Sequence, residues 1–203
     1  METKAEEVAA KGQEENSKRI IVEIGPGNSP FPVGLNRRQI NKSEIYIGIE
    51  PHNPHIKDTA RWLKKRDIVG EGEAYMIKAV GGRLPFKGQS ANEIVISNLI
   101  GHPALSEQGR GFLLSETLKK IIEEIGRVLK KGGKATIVET YTPYPATDKL
   151  TEVFKENGLR ITKHLRLLAQ NPAEREDAEK ELSKYALRSM FGQKSYLLEF
   201  EKE

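Results

Sequence analysis

A single α/β domain, one doubly wound and mostly parallel sheet with helices on both faces, is the fold class this sequence predicts. Three observations lead there. Short aliphatic, β-branched runs alternate with segments of helical spacing. The first of these runs, "RIIVEIG", reads as a buried strand, short, aliphatic and ended by glycine, as in a sheet covered on both faces. The last two runs flank one long helical segment, so the sheet should close with an antiparallel C-terminal edge strand and count about seven strands.

The elements follow in order. Residues 1–18, "METKAEEVAAKGQEENSK", carry mixed charge and almost no large apolar side chain, and read as a flexible arm before the domain at 19–203. "RIIVEIG" (19–25) is a buried strand ended by glycine, and "EIYIGIE" (44–50) a second, ended by Glu50 and Pro51. The stretch 54–70 is helical, with Ile56, Ala60 and Leu63 on one face. "EAYMIKAV" (73–80) is a third strand, and 92–101 contains a fourth. In "SETLKKIIEEIGRVLKKGG", Leu118, Ile121, Ile122, Ile125, Val128 and Leu129 keep helical spacing. Ser115 suits its N-cap, lysines its last turn, and Gly132 a left-handed stop. "KATIVET" (134–140) is the fifth strand, 148–158 a short helix ended by Gly158, and 159–169 the sixth strand. A helix over 171–192 opens with Asn171 as cap, Pro172 at the first helical position and Glu174 completing a capping box, before the seventh strand at 195–201.

Composition narrows the class. A chain of 203 residues can bury one substantial core. It has no cysteine, which excludes disulfides and thiolate metal sites, and no metal site is read. No apolar run approaches the roughly 18 to 20 residues that span a membrane, and the N-terminus has no apolar signal core, so a cytoplasmic setting is expected. The net charge of +4 permits nucleic acid as a partner without requiring it.

In an open parallel sheet, ligands bind at the carboxyl ends of the strands near the switch in strand order. The first strand ends in "EIGPGNSP" and the second in "GIEP", and these ends should be neighbours. Gly25 and Gly27 allow a sharp turn and close approach to a ligand, and Glu50 stands where an acid can hold two ribose hydroxyls. A dinucleotide fingerprint needs a third glycine where this chain has Pro30. Glu23 is the stronger objection, because a carboxylate beside a pyrophosphate in a poorly solvated cleft is repelled. S-adenosylmethionine carries a sulfonium and an ammonium and no phosphate, so the acid suits it, directly or through water.

With these residues in place, the chain resembles the class I S-adenosylmethionine-dependent methyltransferases from about Arg19 to its C-terminus. "VEIGPGN" is similar to the family's first motif, "GIEP" to its second-strand acid, "GRLPFKGQSANEIVISNLIGH" to its approach to the fourth strand, and "IGRVLKKGGKATIVE" to its helix, glycine turn and fifth strand. The resemblance implies a seven-stranded sheet with the last strand antiparallel, S-adenosylmethionine as cofactor, and cofactor contacts from Glu23, Gly25, Pro26, Gly27, Glu50, Pro51, Val80, Gly81 and Asn98. Two places depart from the pattern. The acid that often faces the adenine amino group is replaced by Val80, and the phenylalanine–aspartate pair before the fourth strand by Asn92 and Glu93.

A sulfonium methyl is already activated, so the enzyme's main task is to align an acceptor with it. The family's acceptor site borders the loops after the fourth and fifth strands, here "SNLIGHP" and "ETYTPYP". They supply Asn98, His102 as a candidate general base, and Tyr141 and Tyr144 as stacking surfaces for a planar acceptor. The acceptor is expected to be a small molecule or a protein; whether its reactive atom is N, O, C or S is unwritten. RNA is the alternative. "NKSEIYIGIEPHNPHI" is similar to the second-strand region of tRNA guanine-N7 methyltransferases, and "RWLKKR" and "RVLKKGGK" offer cations for phosphates. Their D-P-W-P signature, however, is replaced by "NLIGHP". A third reading, from another class, is a non-catalytic binding module on the same fold.

Overall fold

The structure is a computed structural model and describes residues 18–26, 40–65, 71–97, 99, 115–139, 146–166, 176 and 196–203. Seven strands form one sheet: β1 (Arg19–Ile24), β2 (Glu44–Ile49), β3 (Glu73–Ile77), β4 (Ala91–Ser97), β5 (Leu129–Glu139), β6 (Leu159–Arg166) and β7 (Tyr196–Lys202). Three helices lie among the described residues: α1 (Asn53–Lys65), α2 (Glu116–Val128) and α3 (Ala146–Glu156). The strand order is β3-β2-β1-β4-β5-β7-β6. β1 pairs in parallel with β2 on one side and β4 on the other. The C-terminal strand β7 is antiparallel to both its neighbours, as expected, and lies one place in from that edge of the sheet, with β6 outermost.

The chain moves outward from β1 in opposite directions through β2–α1–β3 and through β4–α2–β5. Right-handed crossovers therefore place α1 and α2 on opposite faces. The pleat divides the side chains accordingly. Ile20, Val22 and Ile24 of β1 join Ile45, Ile47, Ile49, Ile94 and Ile96 in the cluster that also contains Ile121, Ile122 and Ile125 of α2 and Leu150 and Phe154 of α3. On the other face Ile21 and Glu23 of β1 lie beside Tyr46 and Gly48 of β2.

Ser115 caps α2, its Oγ accepting from Leu118 N–H at 3.2 Å. The C-terminus of α2 differs from expectation. The helix ends at Val128, Leu129 N–H donates to Ile125 O, and the residue in its last turn that complements the dipole is Arg127. Strand β5 begins at Leu129, opposite Ala91. The register then shifts, so that Glu93 faces Lys134, and residues 130–133 form an excursion in which Gly132 has φ +71°. Gly132 thus serves a bulge and not the helix stop, because the apolar Leu129 is fully buried by pairing at once with β4. Asn92 and Glu93 act at the amino edge. Asn92 Oδ1 accepts from Ile20 N–H at 3.0 Å and from Lys130 Nζ at 3.2 Å, and Glu93 pairs with Arg19. Of the helix read over 171–192, only Glu176 lies within the described residues, and it is helical; residues 1–17 of the N-terminal arm lie outside them.

Phe154 of α3 is fully buried and stacks on Phe200 of β7, with ring centroids 4.1 Å apart. Phe154→Ala should lower the unfolding free energy by about 3–5 kcal/mol, the range for emptying such a site. A urea titration checks it; a midpoint equal to wild type would mean that α3 does not depend on this contact.

Candidate functional site

The site is built where three strands end side by side. The ladder continues past each strand's last residue: Gly25 N–H donates to Ile49 O at 2.9 Å and Glu50 N–H to Ile77 O at 3.1 Å. These two bonds bring the glycine turn and Glu50 together, as the sequence predicts. Gly25 has φ +72°, a left-handed conformation that favours glycine. A methyl at Gly25 would come within 3.2 Å of Leu99 Cδ1, so Leu99, just beyond β4, packs against the turn.

Glu50 is 4% exposed. Its Oε1 accepts from His52 N–H at 3.0 Å and lies 3.5 Å from His55 Nδ1, while the rings of His52 and His55 meet edge-on at 5.7 Å. The carboxylate is thereby fixed at the mouth of α1. Among the described residues no group of three or more such side chains is arranged to hold a metal ion.

Glu23 is 0% exposed. It sits beneath the turn on the Tyr46 face and accepts from Tyr46 Oη at 2.6 Å. In this structure it would act on a ligand by its field or through the turn, not by standing open at its mouth. Pro26 is buried beside Gly25, and Pro51 is exposed after Glu50.

On the third strand's side, Val80 is 56% exposed, the one large apolar side chain so exposed among the described residues. Its neighbour Gly81 packs on the end of β1: a methyl there would fall 2.7 Å from Ile24 Cγ2. Val80 and Gly81 therefore border the same strand ends as Gly25 and Glu50. The segment that follows them is clamped to α2. Leu84 N–H donates to Glu124 Oε2 at 2.7 Å, while Arg127 donates from Nη1 to Phe86 O at 2.8 Å and from Nη2 to Leu84 O at 3.1 Å.

Gly27, Asn98, His102, Tyr141 and Tyr144 lie outside the described residues. The sequence reading missed Tyr46, Leu99 and the two histidines. Tyr46 could have been found once β1 and β2 were aligned, because it then shares a face with Glu23. The basic cluster after β2 leads away from the site. Helix α1 starts beside Glu50 and runs about 20 Å back across the sheet, leaving Lys64 exposed in its last turn. Lys130 and Lys131 open β5 at the amino edge, opposite the site.

No protein-family model and no curated protein sequence matches the chain. Solved structures do. YcgJ from Bacillus subtilis superposes with a TM-score of 0.60 at 13% identity, covering 97% of each chain. An S-adenosylmethionine-dependent methyltransferase from Methanosarcina mazei gives 0.61 at 13%, over 95% of this chain and 96% of that one. The chain has the fold of the class I, Rossmann-like methyltransferases. The same fold carries other chemistry: the [4+2]-cyclase SpnF matches with a TM-score of 0.60 at 14% identity, over 97% of this chain and 78% of its own.

The clamp on this methyltransferase fold has a testable signature. The hydrogen bonds from Arg127 hold the Glu124 carboxyl below its usual range, against the opposing effect of partial burial. A carboxyl depressed in the folded state adds stability above its unfolded pKa and loses it as pH falls through the folded value. Arg127→Ala should therefore cost about 1–2 kcal/mol at neutral pH. The gap to wild type should narrow below the ordinary carboxylate range without closing, because the bonds to Leu84 O and Phe86 O do not titrate. Chemical unfolding of both proteins at neutral and acid pH measures it, and a pH-independent gap would show that the Arg127–Glu124 pairing contributes nothing to the clamp.

Proposed function

We propose that the chain is an S-adenosylmethionine-dependent methyltransferase acting on a small molecule or a protein, in a cytoplasmic setting. One observation carries the reading: a glycine turn with a carboxylate beneath it, hydrogen-bonded to the strand end that presents a second carboxylate. That arrangement repels phosphate and suits a nucleoside with a cationic tail. When bound, S-adenosylmethionine supplies a methyl group already activated on sulfur.

The residues present fit it. Glu50 is held where it can accept from ribose hydroxyls. Gly25 and Pro26 bring backbone close to the aminoacyl end, Gly27 is proposed there from the sequence, and Glu23 lends its charge. Val80 offers an exposed apolar surface for adenine, and Pro51 and Gly81 complete the lining. In the absence of an acid at Val80, adenine recognition falls to the backbone and to this apolar contact. Asn98, His102, Tyr141 and Tyr144 are proposed on the acceptor side, His102 as a proton acceptor where the acceptor must lose one. The placement of Lys64, Lys130 and Lys131 away from the site supports a small-molecule or protein acceptor over RNA.

The second reading is a protein of this fold that binds a ligand without moving a methyl group. The replacement of the adenine-side acid by Val80 and the likeness to a cyclase favour it. Among the described residues no helix is long and apolar enough to cross a membrane.

S-adenosylhomocysteine should raise the melting temperature, as any ligand of the native state does, and NAD should not match it. No shift and no heat of binding at millimolar ligand would remove the methyltransferase reading. Binding of the cofactor without labelled methyl transfer across an acceptor screen would favour the second. Glu50→Gln keeps an acceptor for His52 N–H while removing the charge. It should weaken S-adenosylhomocysteine binding by about 1–3 kcal/mol with little change in melting temperature. Equal affinity by calorimetry would show that Glu50 does not hold the ribose.

A further inference from the structure

Among the described residues Tyr46 heads the largest fully buried side chains, yet it carries a hydroxyl that must find a partner there. A phenylalanine would fill the same volume without that demand. The partner is Glu23, itself fully buried. A carboxylate in such a place is costly, and replacing it with an apolar side chain is often neutral or stabilising for a fold. Neither polar group is what packing alone would select.

The route by which they meet is built into the strands. Tyr46 is the cross-strand partner of Ile21, and Glu23 of Gly48, so tyrosine and acid lie on a diagonal of one sheet face. Gly48 stands between. A methyl there would come within 3.2 Å of Tyr46 Oη and 2.5 Å of Met76 Sδ. With no side chain at Gly48, the tyrosine passes over its own strand and reaches the acid. Burial, then the charge of Glu23 and the bond to it, pushes the Tyr46 hydroxyl well above its usual range, so it remains a donor at every working pH.

We infer that Tyr46 is a positioning residue. It fixes the Glu23 carboxylate beneath the Gly25 turn, so that the ammonium end of an aminoacyl nucleoside bound over the turn lies in the field of a negative charge already oriented, and Gly48 leaves the passage that this requires. A carboxylate anchored through Oε2 does not have to reorganise when the ligand arrives, which is how preorganised charge gains its effect. The inference rests on the proposed cofactor, and its test separates the two.

Calorimetry compares S-adenosylhomocysteine, which carries the ammonium, with 5′-methylthioadenosine, which lacks the aminoacyl group. Tyr46→Phe should weaken the first on the order of tenfold, the effect of one charged hydrogen bond, and leave the second within about twofold. In a Glu23→Gln background the same substitution should add little, because the charge it orients is gone. A purely structural tyrosine would weaken both ligands together and additively with Glu23→Gln; that result, or no change for either ligand, overturns the inference while leaving the cofactor reading intact. Failure of the wild type to bind either ligand removes the cofactor reading itself, and the inference with it. Gly48→Ala provides a second variant where Tyr46→Phe does not fold. It retains the hydroxyl and obstructs its path, and the same selective loss is expected; an unchanged ratio between the two ligands would overturn the inference.

Discussion

The pairing of β1 with parallel neighbours on both sides is the constraint from which the site follows. Strand order reverses at β1, so the connections leaving its two flanks diverge and open a crevice at its carboxyl end. The register with β2 sets Glu23 opposite Gly48, and the bond from Gly25 N–H to Ile49 O carries that alignment into the turn. A slip of one residue would exchange the two faces. Glu23 would then point among Ile121 and Ile125 of α2, and Ile24 would lose the cluster it helps to close. The apolar cluster and the acid therefore specify the same register.

The sequence announces the central strands β1, β2 and β4 because they are buried and rich in aliphatic residues. It also announces the adjacency of Gly25 and Glu50, since both end strands that must pair. It does not announce where β5 begins. Leu129 keeps the helical spacing of α2, and only pairing with Ala91 across the sheet takes it out of the helix. The position of β7 between β5 and β6 is likewise a matter of which edge a strand meets, which no local pattern records. Tyr46 reads as one more large side chain in a buried strand until the register places it diagonally from Glu23. Within the site, residues on strand ends were legible from element boundaries. Asn98, His102, Tyr141 and Tyr144 lie outside the described residues; the sequence assigns them to loops, where no periodicity fixes a direction.

Among the described residues, the two carboxylates of the proposed site and the basic clusters after β2 and α2 lie at opposite ends of the strands. Carboxylates stand at the carboxyl edge: Glu50 at the end of β2 and Glu23 beneath the turn. Cations stand at the amino edge, in Lys64 of α1 and in Lys130 and Lys131 of β5. The basic residues there find local work, Lys130 on Asn92 and Arg19 on Glu93 and Glu44. A net charge of +4 says little about the ligand, because Lys64, Lys130 and Lys131, which count toward it, lie away from the proposed site.

The same geometry fixes the strand-end side of the proposed site. Glu50, Gly25 and Gly81 are held by strand ladders and by contact with β1, so their directions follow from the sheet. Groups fixed in this way are the ones on which the proposed ligand chemistry rests: the sign of the charge, the absence of phosphate, a place for a ribose. The acceptor side is assigned to the loops after β4 and β5, and loops carried on a rigid scaffold are where one fold acquires different substrates. A methyltransferase and a [4+2]-cyclase can therefore match this chain with nearly equal TM-scores. What they share with it is the fold, over 97% and 95% of this chain, and a shared fold leaves the chemistry open.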